Sequence, residues 1–339
     1  MQEIKQLGRY KINGVLGKGA MGLVYDGTDP QLDRRVAIKT ILTSTLDEAT
    51  AKHYAMRFRR EVRAVARLNH PNIVQVYDFG QEGDLAYIVM EFIQGKELKD
   101  YFDEKHAFDL GTIFKLMIQL LGALDFAHEA GVIHRDVKPA NLMIDAAGHV
   151  KLADFGVARL TEAEGGEAEA TRAGAMVGTP SYMSPEQIQG QKIDGRSDVF
   201  SAGVLFYQFL TGRKPFEGTG FALARKIVQE DPPPPSSLVQ IPAVIDGVVA
   251  KALAKDADQR FPNARSFAAA LKSIMEGKAP DVAQAKKNAG NSEADREFWE
   301  EVKDSDDPDE LELYIEQFPS GAFVEIARKR VTELLAKKG

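Results

Sequence analysis

At 339 residues the chain is long for one compact domain, and length alone suggests roughly two to three domains. With 44% apolar and 27% charged residues it can bury a core and is too apolar for a disordered chain. A net charge of −7 argues against nucleic-acid binding, which needs a clustered basic surface, and zero cysteines exclude disulfides, thiolate zinc sites and cysteine nucleophiles.

Met1 to Tyr10 is polar, without the apolar centre of a signal peptide. The longest strongly apolar stretch reads as Val199 to Leu210, too short for a membrane crossing of roughly 20 residues. A cytoplasmic chain with no membrane span is therefore expected.

From Tyr10 to Glu91 the pattern is strand-like with one helix. Tyr10 to Leu16 alternates, and Arg35 to Leu42 is β-rich. Ala49 to Leu68 reads as a helix, with Phe58, Val62, Val65 and Leu68 at helical spacing. Ile73 to Tyr77 and Leu85 to Met90 read as strands. Beyond Glu91 helices dominate: Leu110 to Ala130 with Gly131 as its stop, Ser197 to Thr211, Phe221 to Gln229, Ile245 to Ala254 and Ala264 to Met275. Two lobes with a ligand-binding cleft between them are expected. Gly277 to Ser292, without apolar period, reads as a linker; Glu293 to Lys303, Pro308 to Gln317 and Ala322 to Ala336 read as a helical module around Trp299. In Asp304 to Glu310 an acidic run invites a calcium reading, but it lacks the loop glycine, and Asp307 capping a helix with Pro308 in its first turn explains it better.

Leu16 to Val24 contains GxGxxG at Gly17, Gly19 and Gly22. A dinucleotide-binding fold puts a helix after the third glycine; here Leu23-Val24-Tyr25 continues as a strand. The loop is either a flap whose amides cover nucleotide phosphates or a plain Gly-rich hairpin. Lys39 ends the strand Val36-Ala-Ile-Lys, and Glu61 on the next helix is its natural partner in an ion pair that would aim the ammonium at α- and β-phosphates.

His134-Arg-Asp-Val-Lys-Pro-Ala-Asn141, followed by Asp154-Phe-Gly156, resembles the protein-kinase catalytic loop and its metal-binding partner. Phosphoryl transfer needs a carboxylate to orient a hydroxyl (Asp136), a cation near the γ-phosphate (Lys138), and hard oxygen donors for magnesium (Asn141 and Asp154). From Tyr10 to Met275 the chain is similar to a eukaryotic-like (Hanks-type) bacterial serine/threonine protein kinase. That resemblance implies an α+β bilobal fold: a small β-rich N-lobe with one main helix, a larger α-helical C-lobe, and here a C-terminal helical extension. The corresponding boundaries are an N-terminal segment 1–9, a kinase domain 10–276 (N-lobe 10–90, hinge 91–97, C-lobe 98–276), a linker 277–292 and a small tetratricopeptide-like module 293–339.

The resemblance also implies ATP as phosphate donor, with Mg2+ or Mn2+. It implies adenine packed between Leu16, Val24, Ala37 and Met143, hinge backbone contacts from Glu91 and Ile93, Glu97 at the ribose, and Met90 at the back of the pocket. Glu186 of Ser184-Pro-Glu would pair with Arg260, Asp198 would brace the catalytic loop, and Val65, Val76, His134 and Phe155 would form an apolar spine. Lys138 and Thr179 resemble the serine/threonine class. Arg135 before Asp136 resembles kinases regulated by a loop phosphate, with Thr171 the expected autophosphorylation site. Protein substrates, partner docking on the C-terminal module and back-to-back homodimers are implied as well. A pseudokinase that scaffolds without turnover is the alternative; such relatives lose one or more of Lys39, Glu61, Asp136, Asn141 and Asp154, all present here.

Overall fold

The computed structural model describes residues 4–19, 22–42, 58–83, 85–155, 180–282, 293–303, 305, 307–318 and 323–338. Thr161, Thr171, Gly178 and Thr179 lie outside the described residues, as do residues 49–57 of the first expected helix. What is described of that helix, α1, covers residues 58–66.

Strands β1 (Gln6–Leu7), β2 (Tyr10–Gly19), β3 (Gly22–Asp29), β4 (Arg34–Leu42), β5 (Val76–Glu82) and β6 (Leu85–Glu91) form an antiparallel sheet in the order β1-β2-β3-β4-β6-β5. The strand expected from Ile73 begins instead at Val76, because Ile73 is held in an isolated bridge to Leu152. Alternation along β4 decides the two faces of the sheet. Val36 and Ile38 are fully buried with Leu7, Tyr10, Tyr25, Tyr87 and Val89 on one face. On the other, Ile41 and Ile88 pack against Phe58 and Val62 of α1. The remainder of that second face carries Ala37 and Lys39.

The larger lobe is built from α2 (Leu98–Asp103), α3 (Leu110–Glu129), a short α4 (Pro185–Ile188), α5 (Gly195–Thr211), α6 (Gly220–Gln229), α7 (Val244–Ala252) and α8 (Ala264–Met275). Asp109 caps α3 by accepting the Thr112 N–H at 2.9 Å, and Gly131 stops it at φ +74°. By length and composition α3 could cross a membrane, which corrects the expectation that Val199 to Leu210 is the longest candidate. Its apolar residues are spent on a protein core instead: Ile113, Leu116, Leu120, Leu124 and Ala127 are buried in the cluster that also holds α5 and α8.

A second sheet, β7 (Gly95–Glu97), β8 (Leu142–Asp145) and β9 (Val150–Leu152), lies in the order β7-β8-β9. Past α8 the chain stays on the C-lobe. Pro280 is buried and Val282 packs on Gly247 of α7, so the stretch expected as linker from 277 starts as packed structure. The terminal module comprises α9 (Glu293–Val302), α10 (Pro308–Gln317) and α11 (Val324–Lys338), with a core of Trp299, Leu311, Tyr314, Val324 and Ala327.

Candidate active site

The β8–β9 hairpin brings the catalytic-loop residues together. Leu142 pairs with Leu152, which sets Asn141 beside Ala153, and the Ala153 N–H donates to the Asn141 carbonyl at 2.9 Å. Asn141 also turns its side chain the other way: Nδ2 donates to the backbone carbonyl of Asp136 at 2.8 Å and to its carboxylate at 2.9 Å. One residue therefore links the Asp136 carboxylate to the segment carrying Asp154. Lys138 Nζ lies 2.7 Å from the same Asp136 carboxylate. Asn141 thereby has its amide oxygen left without a hydrogen bond among the described residues.

Lys39 meets this group from the sheet. Val24 pairs with Lys39, Ala37 with Asp26 and Met90 with Ala37, so the period of 2 puts Val24, Ala37, Lys39 and Met90 on one face. The expected Lys39–Glu61 ion pair is not formed: Lys39 Nζ sits 2.6 Å from Asp154 Oδ2, and Glu61, half-buried on α1, makes no ion pair with it among the described residues. The physical reason is proximity, because Asp154 supplies a carboxylate at full hydrogen-bond distance and neutralises the ammonium. Asp154 holds φ +64° and Arg135 φ +67°, a left-handed backbone uncommon outside glycine and typical of over-determined functional positions.

The glycine loop joins β2 to β3, with Gly19 opposite Gly22 and Gly17 opposite Val24. Gly17 has open space where a side chain would stand, whereas a Cβ on Gly22 would run into the Thr40 carbonyl. Gly22 thus answers to the packing of β4, not only to a ligand. Leu16 is exposed at the bulge between Val15 and Gly17, and Met143 is half-buried opposite Glu97 on β7. Ile93 lies in the half-buried crossing between β6 and β7. Although exposed overall, Glu97 has its carboxyl pushed above the usual range by desolvation, with the charges of Asp100 and Asp154 adding to the shift.

His134 is fully buried and cannot serve as a base. Its Nε2 bonds the Ala153 carbonyl at 2.8 Å, its Nδ1 accepts the Asp136 N–H at 3.2 Å, and its ring lies 4.6 Å from that of Phe155. Val65 and Phe155 share one core cluster with Val76 packed against it, as the spine requires. Glu186 and Arg260 form a buried two-pronged pair at 2.6 and 2.7 Å. Burial alone would raise the Glu186 carboxyl; the Arg260 hydrogen bonds and charge, with Ser197, outweigh it and hold it below the usual range.

Three positioning residues escaped the sequence reading. Lys151 on β9 clamps the Glu91 side chain at 2.7 Å, tying the hinge to the C-lobe. His128 joins Asp198 at 2.7 Å. Gln187 donates to the Arg135 carbonyl at 2.7 Å while completing a capping box with Ser184. Only the last had a local signal, Ser184 and Gln187 three apart; the other pairs span sixty or more residues.

The protein kinase domain family matches residues 10–275. Among relatives, the probable serine/threonine-protein kinase PknB of Bifidobacterium longum is 41% identical over 287 residues, 81% of this chain and 41% of the relative. The serine/threonine-protein kinase PknB of Mycolicibacterium smegmatis is 41% identical over 280 residues, 81% of this chain and 44% of the relative. That of Mycobacterium leprae is 40% identical over 290 residues, 84% and 46%. The chain spans less than half the length of these curated relatives. With its catalytic loop, glycine loop and Glu186–Arg260 anchor in place, the chain belongs to the protein kinase domain family.

Proposed function

We propose that this chain transfers the γ-phosphoryl group of ATP to serine or threonine hydroxyls of other proteins. One arrangement carries the reading: Asp136, held by Lys138 and Asn141, is joined through Asn141 to the segment where Asp154 meets Lys39. The printed names of the relatives support the serine/threonine class.

In this reading Asp136 accepts the proton and aims the substrate hydroxyl, and Lys138 and Lys39 hold phosphate oxygens. Gly17, Gly19 and Gly22 cover the phosphates from above. Leu16, Val24, Ala37 and Met143 enclose adenine, Glu91 and Ile93 offer backbone groups, and Glu97 reaches the ribose. Phosphoryl transfer is chiefly positioning and charge stabilisation, so a preformed constellation is what the reaction needs.

Asn141 and Asp154 suit magnesium, with manganese as a substitute. The Asn141 amide oxygen, without a hydrogen bond among the described residues, and the Asp154 carboxylate are hard donors, and no group of three or more acidic, His or Cys side chains placed to hold a metal ion exists among the described residues. A cation held by few protein donors and completed by phosphate oxygens is the manner of magnesium. When bound, it neutralises charge on the phosphates.

Regulation by phosphate on Thr171 is part of the proposal. It is supported by Arg135, whose buried Nε has no hydrogen-bond partner among the described residues. So are the boundaries 10–276 for the kinase and 293–339 for a partner-docking module, a homodimer through the N-lobe, and a cytoplasmic location where ATP is abundant. A scaffold without turnover has no observation in its favour. The test is labelling with radioactive ATP by wild type, Asp136→Asn and Lys39→Met: the wild type labels protein acceptors and both variants fall by 100-fold or more. Equal labelling by all three would remove the reading.

A further inference from the structure

Between the turn Pro180–Tyr182 and the turn that follows α5 lies a cleft of about 370 Å3 that the catalytic arrangement does not use. Its walls include Ser181, Gln208, Arg213, Lys214, Phe216 and Glu217. The floor is rigid. Tyr182 and Phe216 are buried, the Tyr182 hydroxyl donates to Gln208 at 2.5 Å, and Ser201 Oγ donates to the Tyr182 carbonyl at 2.7 Å.

Charge in the cleft is unbalanced. Lys214 is half-buried; its ammonium has the Ser181 hydroxyl at 3.4 Å and the Tyr182 ring at 5.4 Å, but no carboxylate among the described residues. Arg213, exposed at the rim, makes no ion pair among them either. One acidic wall residue, the exposed Glu217, stands against these two cations. A half-buried ammonium with no carboxylate beside it among the described residues can take an incoming carboxylate as its partner.

The cleft is also tied to the reaction centre. Ser181 stands a few residues before Gln187, whose side chain bonds the Arg135 carbonyl next to Asp136. That stretch spans at most roughly 20 Å of chain. Extended substrate rises about 3.3 Å per residue, so a few residues bridge the distance.

We propose that this cleft is a subsite for the carboxylate of an acidic residue flanking the serine or threonine to be phosphorylated, which makes acidic segments the substrate class. The proposal rests on the phosphotransfer reading above. Lys214 is the specificity residue, Arg213 strengthens the local positive field, and Phe216 lines the wall against which the acidic side chain's methylenes pack.

The test uses the full chain and serine peptides in which Glu, Ala or Lys is placed in turn at each nearby position on both sides of the target, with kcat/KM as readout. The expected result is a position where Glu exceeds Ala by about 10-fold, with Lys below Ala. Lys214→Glu should invert that order so that the Lys peptide becomes preferred. Lys214→Gln, a gentler change, should flatten the order. Raising salt should shrink the wild-type preference. A flat wild-type profile, or a Glu preference that survives Lys214→Glu intact, overturns the subsite while leaving phosphotransfer standing. Failure of the wild type to label any peptide or mixed protein acceptor would remove the phosphotransfer reading and the subsite with it.

Discussion

The carboxylate of Asp198 accepts the backbone N–H of Arg135 at 2.7 Å, and Arg135 is held at φ +67°. The same carboxylate accepts the His134 N–H at 2.8 Å and contacts His128 Nε2 at 2.7 Å, all without solvent exposure of Asp198. A side chain from the core helix α5 thus fixes the backbone immediately before Asp136.

Asp198→Asn follows as the sharpest probe of that brace. Asparagine keeps the shape but replaces one acceptor oxygen with an NH2 that faces donors. The His134 and Arg135 N–H groups go to different oxygens, so one of them loses its acceptor and faces the new NH2. The expected loss of stability is about 2–4 kcal/mol, read from urea unfolding, with phosphotransfer falling in parallel because Asp136 loses its aim. A stability change below about 0.5 kcal/mol would show that the loop holds its conformation without Asp198.

Local pattern made much of this legible. Helices α8 and α10 start and stop where periodicity and caps place them, since Asn263 capping through Ser266 and Pro308 opening a first turn are encoded within a few residues. The Glu186–Arg260 pair and the Asp198 brace followed from the kinase resemblance, not from spacing. What could not be read locally was partner choice across the chain. Lys39 has two carboxylates within the motif set, and the sequence favours Glu61; three-dimensional proximity gives it Asp154. Lys151 and His128 carry no local mark at all, because each acquires its role from a partner sixty or more residues away.

Glu61 provides the second prediction. Asp154 neutralises Lys39 here, yet the proposed chemistry needs Asp154 for the metal, and Lys39 then requires another carboxylate. Glu61→Gln should leave thermal stability within about 0.5 kcal/mol of wild type, because Glu61 makes no ion pair among the described residues. It should still lower kcat by at least 10-fold. Unchanged kcat would mean that Glu61 never takes over Lys39.

The Glu186–Arg260 pair makes stability depend on acid. The carboxyl of Glu186 is held below its ordinary value of 4.5 in the fold. Between the folded and unfolded values the unfolded chain binds more protons, so stability rises with pH there. The contribution is complete above the unfolded value near 4.5 and is lost as pH falls through the folded one. Wild type should therefore exceed Glu186→Gln in urea midpoint at pH 6 to 7, with the gap closing as pH is lowered below about 4.5. A gap independent of pH would assign the stabilisation to shape alone.

The end of the kinase unit is the last point that can be cut and measured. Lys251, only 3% exposed, reaches the Asp281 carbonyl at 3.5 Å and lies over the Phe261 ring at 4.9 Å. Pro280 is buried and Val282 contacts Gly247 on α7. A chain stopped after Gly277 loses the apolar cover of two side chains and leaves the buried ammonium with the aromatic face and no carbonyl. Together these should cost about 1–3 kcal/mol, a fall in Tm of roughly 3–10 °C for a unit of this size. A chain stopped after Val282 keeps every one of those contacts and should melt with the full-length kinase unit. Equal Tm for the two truncations would show that residues 278–282 lie on the C-lobe without stabilising it. A fall confined to the shorter chain would place the functional boundary beyond the last helix of the lobe, because the segment after α8 covers a lysine that the core cannot otherwise satisfy.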